Sequence, residues 1–377
     1  MLSVSAARSP ELDGLRGLAI LLVVLAHYGA TLSRSSLPQH IFRSICDFGW
    51  TGVDLFFVLS GFLITRILLR SKGAENYFSA FYARRVLRIF PLYYVSLLIL
   101  FLLVMPNLPM APNPTFWKRM SYFVYIQNWL TPEQWMGQYW TLGVEEQFYL
   151  LWPLVVFCVP RGRILRIALG FSVVAIVLRC SMLALHVDSE FIGDNTFTRM
   201  DALLIGAASA CLLRDTLWVV RLGAWAKGLF VSPAVVLPAL YLVNRSLDRK
   251  STLIASIGYT LIDLSFAALL LALVSTADKP SVLQRFFGSS IMRTLGRYSY
   301  ALYIWHIFVR ALVGHFERNV VHLRLPWFLD IPLMIGVTLL VSMLSYDLIE
   351  QPFLSLKRYF EPTFAPAPLR ASATVAS

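Results

Sequence analysis

Two residues of the first apolar stretch could do chemistry together. Arg16 and His27 are eleven positions apart, which on a helix of about 100° per residue brings them to within roughly 20° of one face and about 16 Å apart along the axis. Asp13 falls roughly 40° to the other side of His27. A neutral imidazole in a water-poor site can take a proton from an attacking hydroxyl. The face therefore offers a base at one level and a fixed cation at another. Asp54 lies about six residues from the near end of the next apolar run, and His27 about five from the end of its own. Antiparallel neighbours would put carboxylate and imidazole at one depth, where Asp54 would orient the ring and stabilise the imidazolium. A lone histidine on an apolar helix is more often a structural contact; the alignment with Arg16 favours a functional one.

Other ionisable groups sit in comparable runs. Glu145 and Glu146 fall within two turns of the start of the stretch that opens Tyr139-Trp140-Thr141, and Arg199 and Asp201 fall near the start of another. At matching depths they are candidates for an acceptor site, as is His306 in the middle of its run. The competing reading, an ion pair between helices, is about equally good for them. Glu350 closes the last run. Arg84, Arg85 and Arg88 precede Phe90-Pro91-Leu92-Tyr93-Tyr94. Guanidinium groups match phosphate oxygens, so Arg85, Arg88 and Tyr93 are candidates for holding a phosphorylated ligand. Composition alone would read the arginines as a topological anchor.

The elements that position these residues are hydrophobic helices. Of 377 residues 58% are hydrophobic and only 14% charged, with mean hydropathy +0.66; soluble domains run nearer 25% charged. A bilayer crossing needs about 20 apolar residues. Ten runs qualify: 15–32, 48–69, 87–105, 139–159, 164–186, 197–213, 225–243, 252–275, 296–316 and 327–349. The expected fold is all-α and polytopic, with about ten transmembrane helices. The segment 116–130 is aromatic and carries Lys118 and Arg119, which places it at the interface. Charge inside a membrane is costly, so each ionisable residue named above is a functional hypothesis.

The net charge of +12 does not point to nucleic acid, because the bases lie in short loops. With the N-terminus inside, the inner segments hold 16 Lys and Arg and the outer loops 9. That bias puts both termini in the cytoplasm of a cell whose inner membrane holds the chain. Glu11, Asp13 and the bulky His27 and Tyr28 argue for a retained first helix over a cleaved leader. Cys46, Cys158, Cys180 and Cys211 have neither paired nor metal-ligand spacing, and no metal or bound cofactor is expected. Residues 359–377, rich in Pro, Ala and Ser, read as a disordered tail after a membrane domain over 9–358.

With these residues on the page, the sequence resembles the type-three acyltransferase family of bacterial membrane proteins. The resemblance spans about residues 9–358. It is carried by Leu12-Asp13-Gly14-Leu15-Arg16-Gly17 with His27, by Asp54-Leu55-Phe56-Phe57-Val58-Leu59-Ser60-Gly61-Phe62, and by Arg85-x-x-Arg88 before Pro91. Trp140-Thr141-Leu142-Gly143-Val144-Glu145-Glu146-Gln147-Phe148-Tyr149, Arg199-Met200-Asp201, Ser299-Tyr300-Ala301-Leu302-Tyr303-Ile304-Trp305-His306 and Glu350-Gln351-Pro352-Phe353 complete it. Any one is weak, but seven in order are specific.

The resemblance implies ten helices around an intramembrane cavity, an acyl-CoA donor from the cytoplasm (usually acetyl-CoA), and a hydroxyl acceptor such as a surface glycan. It maps the family's functional groups onto Arg16 and His27, onto Arg85 and Arg88, and onto Glu350. Some relatives carry an extracytoplasmic hydrolase-like domain that completes transfer, so a separate extracytoplasmic transferase is a candidate partner beside membrane lipid, acyl-CoA and the acceptor. The alternatives are acylation of a small molecule such as a macrolide, and a proton-coupled transporter, since intramembrane His and carboxylates also suit a proton relay.

Overall fold

A computed structural model describes residues 10–364, apart from 31, 33–34, 108–113, 131–135, 245–247, 278–280, 318, 320–321 and 323–324. Among the described residues every regular element is helical. Ten are long: α1 (Pro10–Gly29), α2 (Gly52–Ser71), α3 (Tyr77–Ile99), α4 (Tyr139–Cys158), α5 (Ile164–Ala184), α6 (Thr196–Leu212), α7 (Thr216–Asn244), α8 (Tyr259–Ser275), α9 (Ser299–Phe316) and α10 (Trp327–Ser345). Each matches one of the ten apolar runs.

Among the described residues, seven helical stretches are long and apolar enough to cross a membrane, by length and composition. The helices α4, α6 and α9 fall short in length or mean hydropathy, and they are the ones that carry Glu145, Arg199 and His306. Polar groups needed inside the bundle lower a helix's hydropathy while its neighbours shield it from lipid. Segment 116–130 holds a helix over Phe116–Phe123 of 8 residues, too short to span.

Small residues set the closest crossings. A Cβ at Gly61 would overlap the Leu203 carbonyl, and one at Gly206 the Val58 carbonyl, so α2 and α6 pack backbone to backbone. The glycines of Leu12-Asp13-Gly14-Leu15-Arg16-Gly17 serve the same purpose. Gly14 and Gly17 leave room for the carbonyls of Phe287 and Met292, which seats α1 against the short helices Val282–Phe287 and Ser290–Arg297 and fixes where Arg16 points.

One end of the bundle is basic. Lys72 Nζ donates to Val156 O (2.6 Å) and Val159 O (2.5 Å) at the end of α4, where unpaired carbonyls attract cations. Arg161 bonds Lys72 O at 2.9 Å. The expected disordered tail is tied down at its start here. Glu75 N donates to Thr363 O (2.9 Å), Thr363 N to Asn76 Oδ1 (2.8 Å) and Asn76 Nδ2 to Glu361 O (2.8 Å). The rest of that tail, 365–377, lies outside the described residues.

Candidate active site

A half-open cleft lies between α1, α2, α3, α4 and α9. Its cavity volume is about 120 Å³. Arg16, Arg85 and Arg88 line it with Ser60, Glu145 and Tyr149; Tyr300, Tyr303 and Thr141 form another wall. Arg16 NH1 is held by Asp13 Oδ1 at 3.1 Å, one turn earlier on α1. The Arg85 guanidinium lies 5.7 Å from the ring centroids of both Phe81 and Tyr149, a stacking geometry that suits guanidinium and leaves its edge free for oxygen ligands. The Ser60 and Tyr149 hydroxyls bond one another and the Glu145 carboxylate.

Positive charge dominates the mouth. Lys357 feels the fields of Arg88, Arg85, Arg84 and Arg16 together. Glu350, on a π-helical turn over Tyr346–Glu350, is 2% exposed, and neither carboxylate oxygen has a hydrogen-bond partner. Arg88 and Lys357 are the charges that act on it. A concave site with this excess of cations attracts an anionic ligand.

Further along α1 a pair of histidines sits behind Tyr303. The rings of His27 and His306 meet edge to face, 4.8 Å between centroids and 67° between planes. Nδ1 of His27 is 2.8 Å from Val23 O, and Nδ1 of His306 is 2.7 Å from Tyr303 O. A carbonyl only accepts, so each Nδ1 carries the hydrogen and each neutral ring keeps its lone pair on Nε2. His306 Nε2 is buried without a partner. The Arg310 guanidinium bonds His27 O, and Tyr28 OH donates to His306 O at 3.1 Å, so both backbones are pinned. Tyr303 separates the pair from the cleft. Its hydroxyl meets Thr141 Oγ1 (2.7 Å) and Gln138 O (2.9 Å), and its ring lies 5.7 Å from that of His306.

Several expectations about partners do not survive. Asp54 does not attend His27. It is fully buried in an ion pair with Arg199, whose guanidinium lies 3.7 Å from the Tyr259 ring centroid. Asp201 pairs with Arg179 at 2.8 Å and accepts from Thr260 Oγ1 at 2.6 Å; Asp263 is buried beside them. Asp54, Arg199 and Asp201 therefore tie α2, α5, α6 and α8 together, away from the cleft. Nor does Asp54 share the depth of His27: Gly52 packs against Ala19 and Val23 of α1, so Asp54, two residues further along α2, lies nearer the middle of α1.

Glu145 likewise parts from Arg199 and Asp201 and joins Arg85 in the cleft. Glu146, turned about 100° from it, is absent from the lining and has Oε1 buried without a partner. His306 belongs with His27. Tyr93 is not a donor contact: it is about 140° round α3 from Arg88, its hydroxyl donates to Tyr122 O at 2.7 Å, and its ring stacks 4.3 Å from Tyr125. The sequence reading missed Arg179 and Asp263, which were visible as charges in apolar runs. It also missed Ser60, Tyr149, Tyr300 and Tyr303, which lie inside the motifs and carry no signal of facing one cleft.

An acyltransferase-domain family model matches residues 9–347. The chain is 26% identical over 366 residues to the peptidoglycan O-acetyltransferase OatA of Listeria monocytogenes, covering 91% of this chain and 55% of that one. It is 30% identical over 369 residues to YrhL of Bacillus subtilis, provisionally named a peptidoglycan O-acetyltransferase, covering 91% and 54%. A Staphylococcus aureus protein provisionally named an O-acetyltransferase is 27% identical over 376 residues, covering 91% and 57%. The chain thus spans little more than half the length of these relatives. No solved structure matches it. The match over nearly all of the helical bundle places this chain in the type-three acyltransferase family.

Proposed function

We propose that the protein is a membrane O-acetyltransferase that takes an acetyl group from acetyl-CoA at the cytoplasmic face and delivers it to a hydroxyl of a surface glycan such as peptidoglycan. The observation that carries this is the cleft lined by Arg16, Arg85 and Arg88, whose wall residue Tyr303 backs onto the His27–His306 pair. In this reading the basic end faces the cytoplasm, both termini lie there, and all ten long helices cross the bilayer. Arg85, Arg88 and Lys357 hold the donor's phosphates. Arg16 and Glu145 flank the pantetheine arm, which carries the thioester past Tyr303 toward the histidines.

His27 Nε2 acts as the base. It removes the acceptor hydroxyl's proton as the oxygen attacks the thioester carbonyl; the C–S bond breaks, and the proton passes to the departing CoA sulfur. His306 packs against the His27 ring and holds its angle. A His27-acyl intermediate would serve the same transfer in two steps. A separate extracytoplasmic transferase is a candidate partner for final delivery.

The test is transfer itself. Inverted membrane vesicles holding the protein are given acetyl-CoA labelled in the acetyl group, with peptidoglycan fragments inside. Label in ester linkage to the fragments supports the reading. Solute movement with no thioester consumed would replace it with transport.

A further inference from the structure

The basic end of the bundle has a second cavity, of about 290 Å³, between the last turns of α2, the end of α6, the start of α7 and the end of α8. Arg66, Arg70 and Arg214 line it together with apolar residues, among them Phe62, Leu213 and Val219. No carboxylate is among the lining residues. Arg66 and Arg70 stand one turn apart on α2, where like charges repel. Neither Arg66 nor Arg214 has an acidic partner among the described residues. Like cations gathered in a recess whose remaining lining is apolar suit an amphipathic anion, with a phosphate at the arginines and hydrocarbon against the apolar residues.

The neighbouring helix says how that ligand arrives. Along the apolar stretch of α7 only 6% is buried, and Leu217, Trp218, Val220 and Trp225 at its start are exposed. The Arg221 guanidinium lies 5.6 Å from the Trp218 ring centroid. Exposed tryptophan with arginine marks the level of lipid headgroups. The cavity thus opens at headgroup depth, beside the helix most open to lipid. Basic recesses between helices at this depth recognise anionic headgroups.

We propose that this cavity binds an anionic phospholipid, its phosphodiester held by Arg66, Arg70 and Arg214 and an acyl chain lying along Phe62, Leu213 and Val219. The proposal rests on the membrane reading of the chain and not on acyl transfer, so the two fail separately.

Delipidated protein is titrated with phosphatidylglycerol and with phosphatidylcholine, and bound lipid is counted by native mass spectrometry. Phosphatidylglycerol should bind at least about tenfold tighter, and Arg66→Ala or Arg214→Ala should each weaken it by about tenfold, the loss of one charge-assisted phosphate contact. Val219→Trp, which fills the recess and keeps the arginines, should also displace it; this variant and the wild-type lipid ratio decide the matter if the arginine variants do not fold. Equal affinity for both lipids would overturn the proposal. So would full displacement by inorganic phosphate, which would mark a small-anion site. Loss of acetyl-CoA binding in Arg66→Ala would make the cavity part of the donor site and overturn it as well.

Discussion

His27 and His306 hold their rings edge to face, 4.8 Å apart, with each Nδ1 committed to a carbonyl of its own helix. Two neutral rings result, each with its lone pair at Nε2, and His306 Nε2 is buried with no hydrogen-bond partner among the described residues. In the proposed reaction His306 fixes the tilt of His27 and does not touch the donor. His306→Ala should lower kcat by about tenfold or more, since misplacing a reacting group by about an ångström costs up to roughly a hundredfold, and should leave the acetyl-CoA KM unchanged. In the wild type, kcat should fall as pH drops through the imidazole titration, because a protonated Nε2 has no lone pair to offer. Steady-state kinetics across pH check both.

The arginines of the cleft make a prediction about affinity. Charge-assisted contacts to phosphate contribute about 1.5–3 kcal/mol each, so Arg85→Ala and Arg88→Ala should each weaken acetyl-CoA binding by about tenfold or more. Calorimetric titration of each variant measures it. Unchanged affinity in both would leave them as topological anchors.

The Asp54–Arg199 pair makes the opposite kind of prediction. With side-chain exposures of 0% and 2%, removing one partner strands a buried charge at a cost of about 3–5 kcal/mol. Arg199→Ala should therefore melt at a markedly lower temperature in detergent, and assemble poorly. A variant with unaltered melting that had lost only acceptor binding would return Arg199 to the active site.

Topology is tested by labelling. With the basic end in the cytoplasm, a cysteine introduced at Arg358 should react with an impermeant maleimide only after the membrane is opened. Labelling from outside intact cells would invert the orientation and move the donor arginines to the wrong side.

These contrasts show what the sequence makes legible. Helices were readable because about 20 apolar residues in a row have few other uses, and the Arg16–His27 spacing was readable because both belong to one helix. Between helices, the ends of the apolar runs supply only a coarse level and no direction. Asp54 lies further into the bundle than His27 and turns to Arg199, and Glu145 turns from Arg199 to Arg85. Tyr93 follows Arg88 by five positions and so faces the aromatic core. Glycine spacing held part of the missing information: Gly14 and Gly17 oblige α1 to dock on the face opposite Phe287 and Met292, but only once the partner is known. Ser60 and Tyr303 are ordinary residues until two helices bring them to one cleft.

The central claim is that the cleft holds the donor while His27 carries out transfer, and one variant separates the two. Purified His27→Ala is assayed in parallel for acetyl-CoA affinity and for acetyl ester formation on a glycan acceptor. The account predicts affinity within about twofold of wild type and turnover reduced by about 10²–10⁴-fold, the usual contribution of a positioned base. Near-normal turnover in His27→Ala, with the donor still bound, would contradict it.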